Sequence, residues 1–470
     1  MLKREKSALR LSQRAERVEY DGFALFESDK KGWLVASDSV NCDCRGGVLK
    51  GGLGVTLCLR DDGTVWDLSS AMPEADTYFL LPQKQSDGSY TEKLGYISKY
   101  GTVFLYNEEK DTLSSRHAFS GRMKPLTTMD GDGIVRMAFV GNDGVYLYNE
   151  EEGMTATEIG RALPVGCVLK NRLFCAIAPF TIAYCAPLAP KDFSNTVDDS
   201  GSISLPREAG EIVALIALGD CVYIFYQYGI SKLTPSGAAR EFTVETVGYR
   251  GGLIFGESVG VSGEKIFFLA SDGLYSFDGR GAKRTCENLT IKPIEAGQVC
   301  AHAENEGYYF LRFTAEDGEE RGVVVDGESE EGYFAFAAKG LSSWRGKTYC
   351  FIDSAFHIVK PNAELPLSAK HSFVAENISF GAEGLKTLKT LRFFGEGRIV
   401  VTLSNGRRSK RTELTLGGGF ADMRAYMRGE RFTLSIVLKT GALLSGLQAE
   451  TIKLTGAAKE GFAFTRRSKE

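Results

Sequence analysis

Several short motifs in this chain have the residue types that chemistry uses. Gly256-Glu257-Ser258-Val259-Gly260 has the spacing of a nucleophile elbow, where a strained strand-to-helix turn exposes a serine oxygen for acyl transfer. A strand-like run, Leu253-Ile254-Phe255, precedes it, but Val261-Ser262-Gly263-Glu264 leads into a second strand and not a helix. The pentapeptide therefore reads as a turn. Gly346-Lys347-Thr348 ends like a phosphate-binding loop, yet five residues separate Gly340 from Gly346 where the motif needs four. The run Tyr349-Cys350-Phe351-Ile352 that follows is strand-like, so no helix N-terminus presents amides to a phosphate. Asp130-Gly131-Asp132-Gly133 offers two carboxylates but lacks the spaced oxygens and closing Glu of a calcium loop; Asp and Gly are ordinary turn residues. Cys42-Asp43-Cys44 offers two thiolates, but zinc needs a second pair or nearby histidines. The four histidines, His117, His302, His357 and His371, are widely scattered. These readings assign no catalytic residue, no cofactor and no metal ligand, and they point away from an enzyme.

What positions these residues is a recurring phrase. A Gly-bearing turn, often with Asp beside it, runs straight into alternating apolar and aromatic residues. It appears as Asp62-Gly63-Thr64-Val65-Trp66 and as Gly101-Thr102-Val103-Phe104-Leu105-Tyr106. It returns as Asp143-Gly144-Val145-Tyr146-Leu147-Tyr148, as Tyr228-Gly229-Ile230-Ser231-Lys232-Leu233 and as Ser271-Asp272-Gly273-Leu274-Tyr275-Ser276-Phe277. A spacing on the order of 40–50 residues is the repeat length of propeller blades, and one such unit cannot bury its own apolar face. Runs such as Ile212–Leu218, Cys221–Tyr226, Lys265–Leu269 and Tyr308–Phe313 read as strands, and no long amphipathic stripe interrupts them. The expectation is all-β: a β-propeller of about seven blades, range six to eight, followed by a C-terminal β-sandwich. The segment 165–207 departs from the pattern and contains a polar stretch, 191–204, read as a loop.

The expected boundaries are an N-terminal arm or short helix over 1–21, the propeller over 22–365, the sandwich over 366–458 and a polar tail over 459–470. Pro361 and Pro366 flank the break. Beyond it come longer alternating runs, among them Leu388–Phe394, Arg398–Leu403, Thr412–Leu416, Arg431–Leu438 and Leu447–Leu454, with Glu396-Gly397 and Asn405-Gly406 as hairpin signals.

At 470 residues with 43% hydrophobic and 25% charged residues, the chain has room for two folded units of ordinary globular character. Its 54 Gly and 29 Phe suit short strands joined by tight turns. No apolar run reaches the ~20 residues that span a bilayer. The start is charged, unlike a signal peptide. A cytoplasmic origin follows, and with it ten reduced cysteines; Cys175, Cys185, Cys221 and Cys350 all have apolar neighbours. The net charge of −4 hides an asymmetry: from residue 381 onward, 17 Lys and Arg stand against 8 Asp and Glu. Arg407, Arg408, Lys410, Arg411, Arg466 and Arg467 are the candidates there for contact with DNA or a protein partner.

Asp61-Asp62-Gly63-Thr64-Val65-Trp66 partly resembles the structural Asp-box turn of sialidase-type propellers, with Leu59 where that box carries Ser. Two longer stretches resemble the β-propeller tail hub and nozzle proteins of tailed bacteriophages, also called packaged-DNA stabilisation proteins. The first, residues 37–50 closed by Gly54, resembles the family's opening strand pair and its run into the first blade. The second, residues 211–279, carries Leu218-Gly219-Asp220-Cys221-Val222-Tyr223-Ile224-Phe225 and Phe267-Phe268-Leu269-Ala270-Ser271-Asp272-Gly273-Leu274-Tyr275, similar to the central blades. Residues 386–405 and 424–438 resemble the sandwich that often follows. The N-terminal residues and the cysteine content depart from the family.

The resemblance implies a structural virion protein, made in the host cytoplasm and assembled as a ring around the DNA exit channel. Its implied partners are itself, portal or adaptor and other tail proteins, and DNA without sequence preference; no membrane is implied. Two alternatives stay open: a carbohydrate-binding or glycan-cleaving propeller, and a cytoplasmic propeller scaffold.

Overall fold

The computed structural model describes residues 13–454 apart from 26–31, 58–74, 85–89, 99, 108–111, 195–198, 236–240, 288, 290, 292, 294–300, 305–306, 345–346, 353–354, 362–369 and 382. Its elements are β-strands joined by turns and brief 3-10 segments, and they fall into two units: 53–369, and 1–52 with 370–470.

In the first unit the short strands predicted from the Gly-aromatic phrase pair with their sequence neighbours. Each group of four forms one antiparallel sheet, and there are seven such sheets. Blade 1 consists of strands Ala75–Lys84, Tyr90–Ser98, Thr102–Asn107 and Thr112–Ala118. Blades 2 to 6 span 123–156, 166–204, 212–247, 260–285 and 301–335. Blade 7 takes three strands from 339–361 and its outermost strand, Leu53–Leu57, from the beginning of the unit. The first strands of successive blades contact one another around a complete circle, blade 7 against blade 1 included. The expected propeller of seven blades is therefore present.

Middle strands lose the polar–apolar alternation because both of their faces are covered by adjacent blades. In blade 5, Gly273–Phe277 is buried at every position. The core thus lies between blades. Tyr223 and Phe225 of blade 4 meet Phe268 and Phe277 of blade 5 edge-on, with Phe225 and Phe268 centroids 5.2 Å apart. Such ring pairs add about 0.5–1.5 kcal/mol beyond the area they bury.

Four copies of the recurring phrase lie in described residues, and each occupies the turn before the third strand of a blade and that strand itself: blades 1, 2, 4 and 5. The copy at 62–66 lies outside the described residues. Gly101 and Gly144 have φ of +83° and +113°, and a Cβ there would meet the carbonyl oxygens of Phe119 and Ile159 at 2.5 and 2.2 Å. The acidic partner has its own task. Asp143 accepts from the amide and hydroxyl of Ser120, on the segment entering blade 2. In blade 5, Asp272 accepts from the Gly252 amide at 2.9 Å and Ser271 from the Leu253 amide at 3.0 Å. In blades 2 and 5 the phrase therefore fastens the entry segment to the second turn, which places both on one rim of the ring.

Segment 165–207, expected to depart from the pattern, is an ordinary blade. Part of its polar stretch forms the outer strand Gly201–Ser204, and Ser200 is buried. Outer strands are short and exposed on one face, so their polar composition resembles a loop.

The second unit corrects several expectations. Residues 13–20, read as an arm or short helix, form strand Gln13–Tyr20 antiparallel to Leu443–Leu454. Glu16, Val18 and Tyr20 alternate as its half-buried side. Strands Asp38–Val40, Cys42–Asp43 and Leu49–Gly51 likewise join the C-terminal strands, so residues 22–52 belong to this unit and not to the propeller. The stretch resembling a run into the first blade instead leads into the closing strand of the last. The strands expected to form a sandwich over 366–458 are not self-contained: ten hydrogen-bonded strands, arranged as two ladders that share strand Lys386–Ser404, include these N-terminal pieces. The expected strands at 388–394 and 398–403 are one strand, Lys386–Ser404. Its first part pairs with Phe420–Gly429 and Leu443–Leu454, its second with Ser409–Leu416 and Phe432–Leu438. The hairpin signal at Glu396-Gly397 marks a bend: Gly395 has φ +149°, and a Cβ there would lie 2.1 Å from the Leu443 oxygen. Asn405-Gly406 does make the expected hairpin. Residues 459–470 lie outside the described residues.

Candidate functional site: a basic hairpin and the propeller mouth

The basic candidates divide by position. Arg407 and Arg408 lie in the turn after strand Lys386–Ser404; Lys410 and Arg411 begin strand Ser409–Leu416. All four are exposed. Arg466 and Arg467 lie outside the described residues. Asn405 builds the turn: its Oδ1 accepts from the amides of Arg407 at 3.0 Å and Arg408 at 2.7 Å, and its Nδ2 donates to the Arg428 carbonyl at 2.7 Å. Lys410 Nζ donates to the Arg424 carbonyl. The two strands are thereby sewn together, and Arg424 and Arg428 join the basic set.

Strand Phe420–Gly429 explains how. Met423, Ala425 and Met427 are buried, so Asp422, Arg424, Tyr426 and Arg428 face solvent. Tyr426 is 70% exposed and has φ +46°. Residues 405–429 carry six basic side chains and two acidic ones, Glu413 and Asp422. Asp422 is neutralised by Arg392, whose two hydrogen bonds of 2.7 and 2.9 Å hold its carboxyl below the usual range. Arg392 also lies 4.6 Å from the ring centroid of Phe420. Among the described residues, Arg407, Arg408, Arg411, Arg424 and Arg428 form no ion pair. The outward arginines at 424 and 428 were readable in the sequence from the alternation with 423, 425 and 427.

A second feature lies on the propeller. Arg122, on the segment entering blade 2, forms an ion pair with Glu257, on the segment entering blade 5. Blades 3 and 4 separate these on one side and blades 6, 7 and 1 on the other. A direct contact between them crosses the axis of the ring, at the rim where the entry segments lie.

The tempting motifs serve the scaffold. Ser258 is fully buried in the 3-10 turn Gly256–Ser258; its hydroxyl donates to the Phe255 carbonyl at 2.6 Å and accepts from the Leu269 amide at 2.8 Å. Gly256 is required because a Cβ would lie 2.1 Å from the Val213 oxygen of blade 4. Asp130 accepts from the amides of Asp132 and Ile134 and from Arg136, as a turn residue does. Thr348 is buried in strand Lys347–Ile352. Cys42 and Cys44 are buried; between them Asp43 is opposed by burial, but Arg45 and Lys50 outweigh that and keep its carboxyl low. His371 is buried against Asn41, whose carbonyl lies 2.8 Å from Nδ1. His117 stacks among Phe119 and Tyr146. Cys175, Cys185 and Cys350 are buried free thiols, and Cys221 is half-buried. Among the described residues, no group of three His, Cys, Asp or Glu side chains is placed to hold a metal.

No family model and no curated protein matches the chain. Solved structures that it is similar to include U3-55K, at 12% identity and TM-score 0.40, covering 61% of this chain and 99% of that one. The β-propeller domain of Cps50 (Swd1) from Myceliophteria thermophila matches at 10% identity and TM-score 0.38, covering 60% and 99%. PorZ of Porphyromonas gingivalis matches at 9% identity and TM-score 0.40, covering 77% of this chain and 46% of that one. Among the described residues, no helix is long and apolar enough to cross a membrane.

Proposed function

We propose that this protein is a structural component of a tailed-phage virion: a tail hub, nozzle or head–tail connector subunit that assembles with copies of itself into a rigid ring around the DNA exit path. Its role is mechanical and not catalytic, and its other partners are portal or adaptor and tail proteins. The observation that carries this reading is that each unit is closed by sequence-distant strands. Strand Leu53–Leu57 completes blade 7 against Ala355–Pro361, and strand Gln13–Tyr20 pairs with Leu443–Leu454 at the other end of the chain. A ring sealed in this way has no long open edge and resists opening. Stiffness of this kind suits a part that transmits load, and repeated heterologous contacts between copies close into rings. The resemblance to tail hub and nozzle proteins supplies the specific setting; residues 211–279, which carry most of it, fall in blades 4 and 5.

The test is electron microscopy of the purified protein, alone and mixed with portal and neck proteins of a phage that encodes it. Closed rings, or incorporation into connector particles, are the expected result. A protein that stays monomeric at high concentration and joins no particle refutes the proposal.

One observation favours a second reading, a glycan-binding face. Tyr100 and Tyr228, 68% and 58% exposed, sit in the equivalent turns of blades 1 and 4 on the rim described above. Exposed aromatic rings stack on sugar faces. A glycan array decides this: binding lost in Tyr228→Ala supports it, and no binding removes it.

A further inference from the structure

We propose that segment 405–429, the turn at 405–408 with strands Ser409–Leu416 and Phe420–Gly429, is a nucleic-acid contact surface that grips the phosphate backbone without reading sequence. The inference stands on the segment's own residues and does not depend on a virion role. Six cations share this short segment, and five of them are arginines without an ion pair among the described residues. Like charges gathered this closely repel one another, so an external anion lowers their energy. Their placement is built and not incidental. Asn405 spends both ends of its amide fixing Arg407 and Arg408 beside the backbone of Arg428. The Lys410 ammonium ties its strand to Arg424.

Two details favour nucleic acid over an acidic protein. The first is arginine itself, whose planar fork matches phosphate oxygens two at a time. The second is Tyr426, held exposed between Arg424 and Arg428 on the outward side of the strand. A phenol ring in that setting is a stacking platform for an unpaired base, flanked by cations for the adjoining phosphates. An acidic peptide would use the cations and leave the ring idle.

The experiment is fluorescence anisotropy of the full chain with a labelled duplex and a labelled single strand, each about 30 nucleotides long and of arbitrary sequence, across roughly 50 to 200 mM salt. If the six cations engage phosphates, duplex affinity falls about a thousandfold over that range. Replacing Arg424 and Arg428 by Gln lowers affinity at low salt and flattens the salt dependence by about two phosphate contacts, whatever the sequence. Tyr426→Ser weakens single-strand binding about tenfold while sparing duplex binding. Hydrogen exchange on the wild-type protein gives an independent readout: added DNA protects residues 405–429. No binding at the lowest salt overturns the proposal, as does protection confined to other segments. Polyglutamate competing as well as DNA overturns it in favour of an acidic protein partner.

Discussion

Blade 2 contains three glycines with positive φ, and substituting two of them, Gly153 and Gly144, by alanine isolates what the recurring phrase encodes. Gly153 has φ +73°, and a Cβ there meets nothing within 4 Å. Gly153→Ala is charged only the left-handed conformational cost, partly offset by the stiffer unfolded chain, about 1 kcal/mol. Gly144, in the phrase, has φ +113°, beyond the range alanine tolerates, and its Cβ would lie 2.2 Å from the Ile159 oxygen and 3.0 Å from the Gly160 carbon. Those are backbone atoms of the segment leaving the blade. That oxygen also accepts from the Val145 amide at 3.0 Å, so moving it breaks a hydrogen bond as well. Backbone displacement, strain and the lost bond together come to about 3–4 kcal/mol. A cooperative unit of roughly 300 residues has an unfolding entropy near 0.65 kcal/mol/K, so melting falls by about 5 °C for Gly144→Ala and about 1.5 °C for Gly153→Ala. Differential scanning calorimetry reads both shifts, and hydrogen exchange should place the loss for Gly144→Ala in 141–162. Equal shifts for the two variants would refute the steric account of the phrase.

Three further outcomes are expected. The Arg136 hydrogen bond, aided by Lys191, holds the Glu152 carboxyl at about 2 against an ordinary 4.5, so this network stabilises the fold above the ordinary value and is lost as pH falls through about 2. Because the Glu152 side chain is 39% exposed, Glu152→Gln should cost about 1 kcal/mol near neutrality and progressively less as pH falls from 4.5 through about 2; a pH-independent difference in urea melts would contradict this. Arg122→Glu and Glu257→Arg should each destabilise slightly and the double exchange recover, with a coupling of about 1 kcal/mol or less since both side chains are about 40% exposed; a double-mutant cycle without coupling removes the axial pair. Ser258→Ala should lose about 2 kcal/mol by leaving the Leu269 amide unsatisfied, and the wild-type serine should resist fluorophosphonate labelling; a labelled Ser258 would reopen acyl-transfer chemistry.

The propeller was legible because its repeat is a local device. The Gly at 101 and 144 and the Asp at 143 and 272 act within about twenty-five residues of themselves, so their spacing survives in the sequence. Strand Gln13–Tyr20 was illegible for the opposite reason: its partner is Leu443–Leu454, and nothing local marks a pairing across the length of the chain. The role of strand Leu53–Leu57 was also illegible: the stretch closed by Gly54 resembles a run into the first blade, whereas closing the last blade is a property of the ring and not of a segment. Glu396-Gly397 misled because Gly serves bends and turns alike. The arginines at 407, 408 and 411 were visible as a charge cluster, whereas Arg424 and Arg428 are separated from them in sequence and are brought near by the hydrogen bonds of Asn405 and Lys410 to their carbonyls, which no local pattern marks. The Arg122–Glu257 pair carried no signal at all, because only the order of blades brings residues of blades 2 and 5 together.

That axial pair constrains how the proposed function can work. A propeller is easily pictured as a pipe, with DNA threading its central hole. An ion pair crossing the mouth between blades 2 and 5 makes that picture untenable for one copy, since a double helix is far wider than the gap two side chains can bridge. The duct of the proposed assembly must therefore lie between copies, with each propeller acting as a stave in its wall. On that arrangement the surfaces that meet DNA are exposed side chains and not the lining of a propeller channel, and the arginines of 405–429 are exposed. Weakening the axial pair should then leave ring assembly and DNA passage intact, whereas a mechanism that threads DNA through each propeller predicts that passage responds to it.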